Sequence, residues 1–234
     1  MLYVTFAYAP DLPMVRILRD RLAELDPDVA HYIITDPASP INPADLPSAA
    51  IRTGTVPRGG NLNGLPIIAE ELATYASLMD ITGHNTIIKI DADCYPITLQ
   101  ALTDSTADLT VCERSQPFTP AGMVYKLTRH AVDKLLTQYN HRTESNLWQT
   151  AHHYPEDQTI YALTALANLT INLLPYNQGH ATGMPDCLPH QLPDNVRHAH
   201  FVHCGEPTAN GTRISRSHAA LRMQILHHAI SPQP

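Results

Sequence analysis

Apolar positions in this chain switch between two periods in a regular order. Leu2 to Ala7 is a short apolar run, which predicts a first strand. Leu12, Val15, Leu18, Leu22 and Leu25 then recur at helical spacing up to Asp26-Pro27, with Asp11 as the cap and Pro13 in the first turn. Val29 to Ile34 alternates loosely and predicts a second strand ending at Thr35-Asp36-Pro37. Strand, helix and strand in succession favour a parallel sheet. Residues 37–50 carry Pro37, Pro40, Pro43 and Pro47 and read as a surface loop. Ile51 to Val56 predicts a short strand, and Arg58 to Gly64 is a polar, glycine-rich turn. Ile67, Ile68, Leu72, Tyr75, Leu78 and Met79 then line the apolar side of a long helix from about Pro66 to Thr82.

The second half repeats the alternation. Three isoleucines in Thr86-Ile-Ile-Lys-Ile90, bounded by Asn85 and Pro96, predict a buried strand, and a short helix follows near Ile97–Leu102. Leu109 to Glu113 is a further strand, Gln116 to Gly122 a loop, and Met123 to Leu127 a strand leading into a helix with Ala131, Val132, Leu135 and Leu136. Residues 141–155 have no clear period. Pro155 opens a helix to about Ala167, and Leu169 to Leu174 is a strand. Residues 175–197 form a loop rich in proline and glycine, Ala199 to Cys204 a late strand, and Ser215 to Ile230 the last helix. No internal repeat or low-complexity segment interrupts this order. The expectation is one α/β domain over residues 1–234, with a mixed, mostly parallel sheet between helices and a late antiparallel strand.

The chemistry concentrates where the isoleucine strand ends, at Asp91-Ala-Asp93. Side chains alternate along a strand, so Asp91 and Asp93 point the same way if its geometry persists. Two carboxylates together at the end of a buried strand are costly unless a positive charge neutralises them. A divalent cation does so, and Mg²⁺ or Mn²⁺ favours oxygen ligands. The carboxyl ends of strands in open α/β sheets are also where ligands bind. Asp-x-Asp after a strand also serves as an ordinary turn or helix cap.

Composition narrows the classes. At 234 residues the chain needs no staples to bury a core. A formal net charge of -7 argues against a general nucleic-acid binder. The four cysteines, at 94, 112, 187 and 204, form no C-x-x-C pair, which predicts a reduced, cytoplasmic chain with four free thiols. No apolar run approaches a membrane helix, and the first strand begins at once, without a signal peptide. The histidines are scattered, and His152-His153 and His227-His228 lack zinc-type partners.

Taken in order, these motifs resemble the GT-A fold glycosyltransferases, which transfer a sugar from a nucleotide diphosphate. The first β-α-β unit opens the chain. Asp91-Ala-Asp93 is similar to the family's D-x-D. Pro120-Ala-Gly-Met-Val-Tyr-Lys-Leu-Thr-Arg is similar to its acceptor-side strand and helix. Pro155-Glu-Asp157-Gln resembles the acidic motif that supplies the base in inverting members, and His203-Cys-Gly the late histidine of the metal site. The likeness spans roughly residues 1–206.

The resemblance implies a role for each residue. Asp93 and His203 would hold Mn²⁺ or Mg²⁺, and Asp91 would contact the ion through water or the donor ribose. Asp157 would be the general base. Phe6, Ala7, Tyr8 and Asp36 would lie along the nucleotide, with Arg58 and Asn61 approaching the diphosphate. His200 is a reserve ligand, but it should face the other side of its strand. The donor implied is UDP- or GDP-linked. The acceptor stays open among glycan, lipid, protein and modified nucleobase. Two alternatives remain: a nucleotidyltransferase acting on a sugar phosphate, and an inactive nucleotide-sugar-binding module. The former would need a glycine-rich basic loop after the first strand, where this chain has Ala7-Tyr-Ala-Pro-Asp11.

Overall fold

The computed structural model describes residues 1–47, 49–56, 64–113, 120–140, 156–174, 181–182, 198–200 and 215–231. For residues 64–65, 120–123, 156–158, 181–182 and 198–200 it describes the backbone alone. Its elements in chain order are β1 (Leu2–Ala7), α1 (Leu12–Leu25), β2 (Ala30–Thr35), β3 (Ala50–Thr53), α2 (Gly64–Thr82), β4 (Thr86–Ile90), β5 (Cys94–Pro96), α3 (Gln100–Thr103), β6 (Leu109–Glu113), β7 (Pro120–Thr128), α4 (Arg129–Asn140), α5 (Glu156–Leu166), β8 (Ile171–Leu174), β9 (Ala181–Thr182), β10 (His198–His200) and α6 (Arg216–Ile230).

One seven-stranded sheet runs β3-β2-β1-β4-β7-β6-β8. Neighbouring strands are parallel except at β7, which lies antiparallel between β4 and β6. A second, small sheet joins β5 antiparallel to β10, and β10 parallel to β9. The mixed, mostly parallel sheet is therefore as expected. The antiparallel strand of the main sheet, however, is β7 in its interior, while the late strand pairs away from it.

Burial explains why the central strands read as continuous apolar runs. All six residues of β1 are buried, because helices cover both faces of the sheet. On one face α2, α4 and α5 close over Val4, Phe6, Ile87, Tyr125 and Leu127. On the other, α1 and α6 pack together over Tyr3, Ile88, Ile90 and Tyr95. Ile87, Ile88 and Ile90 are all fully buried, and each contributes about 1.5–3 kcal/mol through removal from water. The predicted apolar side of α2 is buried at all six positions.

Three local features differ from the pattern, each for a physical reason. The strand expected over 51–56 stops at Thr53. The backbone amides of Thr55 and Val56 donate instead to the Glu70 carboxylate of α2, which also accepts from the Thr55 hydroxyl at 2.9 Å. A Cβ at Gly54 would stand 2.9 Å from that carboxylate, so a larger residue there would displace the end of the Glu70 side chain. The short helix expected near 97–102 starts only at Gln100, as α3, after Cys94–Pro96 has paired with β10 as a strand. The strand expected over 123–127 begins earlier, at Pro120, and absorbs a bulge opposite Val111 and Cys112.

Helix ends set the approach to the strands that follow. α2 ends on Gly83 at φ 72°, whose amide donates to Met79 O at 2.9 Å. α5 ends on Asn168 at φ 54°, a left-handed position that asparagine tolerates. At the foot of the sheet Asp108 ties three strands. One oxygen accepts from the Thr128 hydroxyl at 3.0 Å, the other from the Thr170 amide at 3.0 Å and hydroxyl at 2.8 Å.

Candidate active site at the carboxyl ends of the central strands

β1 and β4 are adjacent and parallel, so their carboxyl ends lie side by side. Tyr8 and Asp11 follow β1; Asp91 and Asp93 follow β4 and turn the chain into β5, with the Cys94 amide donating to Asp91 O at 3.0 Å. Behind this turn Arg21 of α1, 6 % exposed, donates to the carbonyls of Pro96 at 3.0 Å and Ile97 at 2.8 Å. The far end of β5, which the turn leads into, is thus held by a buried guanidinium.

Asp91 does not stand there with a bare charge. Lys89 Nζ lies 2.7 Å from Asp91 Oδ1 and 5.4 Å from the Tyr125 ring centre. The lysine side chain is 3 % exposed and the aspartate 35 %. The Tyr125 hydroxyl donates to the fully buried Glu71 at 2.7 Å and lies 2.9 Å from the Tyr75 hydroxyl. Tyr75 in turn meets Phe6 edge-on, ring centres 6.2 Å apart.

Asp11 was expected as the cap of α1, but its carboxylate makes no cap hydrogen bond. One oxygen accepts from the Tyr8 amide at 2.9 Å, the other from Arg216 Nε at 2.6 Å. The Arg216 guanidinium also lies 5.8 Å from the Tyr8 ring centre. Burial pushes the Asp11 carboxyl above its usual range. The Tyr8 amide and Arg216 oppose that shift, and the charge of Asp93 adds to it. The Cys94 thiol behaves alike: burial raises it well above normal, and Asp93 and Asp91 raise it further against Lys89. Asp93 thus lies near enough to both Asp11 and Cys94 for its charge to add to the effect of burial.

The remaining expected residues fall as follows. Phe6 and Ala7 are buried at the end of β1, with the Phe6 ring committed to Tyr75. Asp36 is buried after β2; its Oδ1 accepts from the Ala38 amide at 2.7 Å, and its own amide donates to Ala7 O at 3.0 Å. Asp157 lies in the first turn of α5, and its side chain is outside the described residues. β8 follows α5 directly and runs parallel to β6, which has the direction of β4. That order turns the start of α5 toward the end of the sheet where Asp91 and Asp93 stand. Arg58, Asn61 and His203 lie outside the described residues, and the reserve ligand His200 is described by its backbone in β10.

The sequence pattern does not reveal that Lys89 pairs with Asp91, or that Asp11 pairs with Arg216. A lone lysine inside an isoleucine run was the one available signal for the first. Among the described residues no group of three or more histidines, cysteines and acids converges as a complete metal site. A separate open cleft of about 270 Å³ lies at the end of β3, lined by Arg52, Thr53, Gly54, Thr55, Glu70 and Thr74 among others, and none of the site aspartates borders it. No helix among the described residues is long and apolar enough to cross a membrane.

No protein-family model matches the chain, and no curated protein matches it in sequence. Solved structures do match in fold. A glycosyltransferase involved in glycosylation of the major capsid of PBCV-1 superposes with a TM-score of 0.60 at 10 % identity, covering 95 % of this chain and 98 % of that one. The galactosyltransferase LgtC, crystallised with donor and acceptor sugar analogues, gives 0.57 at 15 % identity over 100 % of this chain and 98 % of its own. An active-site mutant of LgtC gives 0.57 at 14 % identity, with the same coverage. What this chain shares with them at such identities is the fold: a GT-A-type sheet, mixed and mostly parallel, flanked by helices.

Proposed function

We propose that this protein is a glycosyltransferase that moves a sugar from a UDP- or GDP-linked donor to an acceptor hydroxyl with the help of Mn²⁺ or Mg²⁺. The observation that carries the reading is the placing of Asp91-Ala-Asp93 at the carboxyl end of β4, beside Tyr8 and Asp11 at the end of β1. Nucleotides bind at this end of such sheets. The donor set fits a hard cation: carboxylate oxygens in a negative field that both Asp11 and Cys94 register. Asp93 would hold the ion, with His203 as the nitrogen ligand. Such an ion, when bound, neutralises the diphosphate and so makes it a better leaving group.

The chain's own residues would do the rest. The segment from Phe6 to Tyr8, with Asp36, would seat the base and ribose, and Arg58 and Asn61 would approach the diphosphate. Asp157 would take the proton of the acceptor hydroxyl as its oxygen attacks the anomeric carbon and the bond to the diphosphate breaks. A carboxylate in the first turn of a helix favours its charged form, which suits a base. Attack opposite the leaving group inverts the anomeric configuration.

A thermal-shift screen of UDP, GDP and other nucleoside diphosphates, with and without MnCl₂, tests the binding half. Donor turnover with Mn²⁺, followed by release of the nucleoside diphosphate, tests the catalytic half. Stabilisation by one nucleotide that Mn²⁺ enhances, with turnover, is the expected result. No stabilisation by any of them refutes the reading, and stabilisation without turnover reduces the protein to a binding module.

A further inference from the structure

Lys89 sits where packing alone would place an apolar residue. β4 is the centre of a sheet covered on both faces, and its other core positions are isoleucines. Taking an ammonium out of water costs several kcal/mol, and replacing a buried ion pair by apolar side chains is often neutral or stabilising. Stability therefore does not account for Lys89. Its partner does: the buried end of the pair is the lysine, and the end that reaches solvent, beyond the carboxyl end of β4, is Asp91. Asp91 follows β4 directly, two residues after Lys89, so the alternation of the strand turns the two side chains to the same face, where they meet at 2.7 Å. The Tyr125 ring, fixed by its bond to Glu71 and paired with Lys89 across the strands, lies 5.4 Å from the ammonium.

We infer that Lys89 is a positioning residue for the nucleotide donor. It anchors Asp91 Oδ1, fixes the direction in which that carboxylate is presented, and offsets its charge. The two acids of Asp91-Ala-Asp93 then divide the work. Asp91, held by the lysine, serves as an oriented hydrogen-bond acceptor for a hydroxyl of the donor. Asp93 supplies the ligand oxygen for the cation. This rests on the glycosyltransferase reading above and deepens it.

Titration calorimetry of UDP and GDP, each with and without MnCl₂, separates the two roles. Wild type, Lys89→Met, Asp91→Asn, the double variant and Asp93→Asn are compared. Lys89→Met should weaken nucleotide binding about tenfold, in line with one charge-assisted contact, both with and without Mn²⁺. The enhancement by Mn²⁺ should stay at the wild-type ratio. Asp93→Asn should do the reverse and abolish the enhancement. Because Lys89 acts through Asp91, Lys89→Met on the Asp91→Asn background should cause no further loss. A lysine that merely supports the fold would give additive losses, and that result overturns the inference. So does wild-type affinity in a folded Lys89→Met protein. If Lys89→Met does not fold, Lys89→Gln, which keeps a donor but no charge, carries the same comparison. Wild-type protein that binds neither nucleotide overturns the glycosyltransferase reading itself, and this inference with it.

Discussion

His31 provides a quantitative test of the sheet beneath the site. It lies on β2 opposite Tyr3, and its Nε2 is 2.9 Å from the hydroxyl of Thr5 on β1. The residue keeps slight exposure, yet its ring is enclosed and Nδ1 is buried without a hydrogen-bond partner. The ring's environment governs its protonation. Burial, with a smaller push from Arg19 on α1, lowers its pKa from 6.5 to about 3. Between those values the unfolded chain holds one proton more than the folded one. Stability therefore rises with pH across that window and falls as the solution is acidified from 6.5 toward 3. One proton corresponds to about 1.4 kcal/mol per pH unit, and the unfolded histidine is half protonated at pH 6.5, so acidification from pH 6.5 to 4.5 should remove about 2 kcal/mol. Urea unfolding of wild type and His31→Gln at half-unit steps from pH 4.5 to 7.5 measures this. Carboxylates titrate alike in both proteins, so the difference between the two curves isolates His31. The wild-type curve should be steeper by close to one proton below pH 6.5, and parallel curves would refute the buried neutral imidazole.

The other predictions concern the site and the termini. Asp93→Asn should keep the fold and lose Mn²⁺-dependent stabilisation by a nucleoside diphosphate, which differential scanning fluorimetry detects. Asp157→Asn should keep donor affinity and lose transfer by about 10²–10⁴-fold, the usual contribution of a general base; unchanged turnover would remove Asp157 from the mechanism. Arg216→Met should lower stability by about 1–2 kcal/mol in urea, since it strips a charge-assisted bond from the buried Asp11. Cys94 and Cys112 are buried and in no disulfide, so both should react with a thiol reagent only on unfolding, and all four thiols should titrate in denaturant without reductant.

How far the sequence foretold this structure depended on the range of the forces involved. β1, β6 and α6 fall within a residue of the expected bounds, because each is fixed by its own apolar period. β5 was not foreseen: three residues have no period, and its partner β10 lies about a hundred residues on. The acids of α2 were equally hidden. Glu71 sits within the buried side of that helix, and the Tyr125 hydroxyl, 54 residues away, helps to make its burial tolerable. Glu70 is explained by the amides of Thr55 and Val56, which no helical pattern reveals. Asp91 and Asp93 stood out because two acids after an isoleucine run are costly without a reason. Asp11 did not, since an aspartate before a helix already has a common explanation. Its actual partner, Arg216, is 205 residues away.

The two cations beside these acids share one electrostatic logic. Asp11, Asp91 and Asp93 gather at the ends of β1 and β4, and the field of Asp93 reaches Asp11. Acids so placed, half out of water, repel one another and destabilise the strand ends unless cations stand close by. Lys89 offsets Asp91 from within the sheet, and Arg216 offsets Asp11 from the last helix. Neither cation comes from the turns that carry the acids. Both belong to elements whose places are fixed by burial: β4 at the centre of the sheet, and α6 packed on α1. The direction of the Asp91 carboxylate is therefore set from the sheet, and that of Asp11 by the last helix together with the Tyr8 amide. A carboxylate oriented in this way loses little freedom when a ligand arrives, so more of each contact appears as affinity. The same arrangement ties the site to the fold. A change that shifts α6 should reach the strand ends through Arg216 and Asp11, although α6 carries none of the expected ligands.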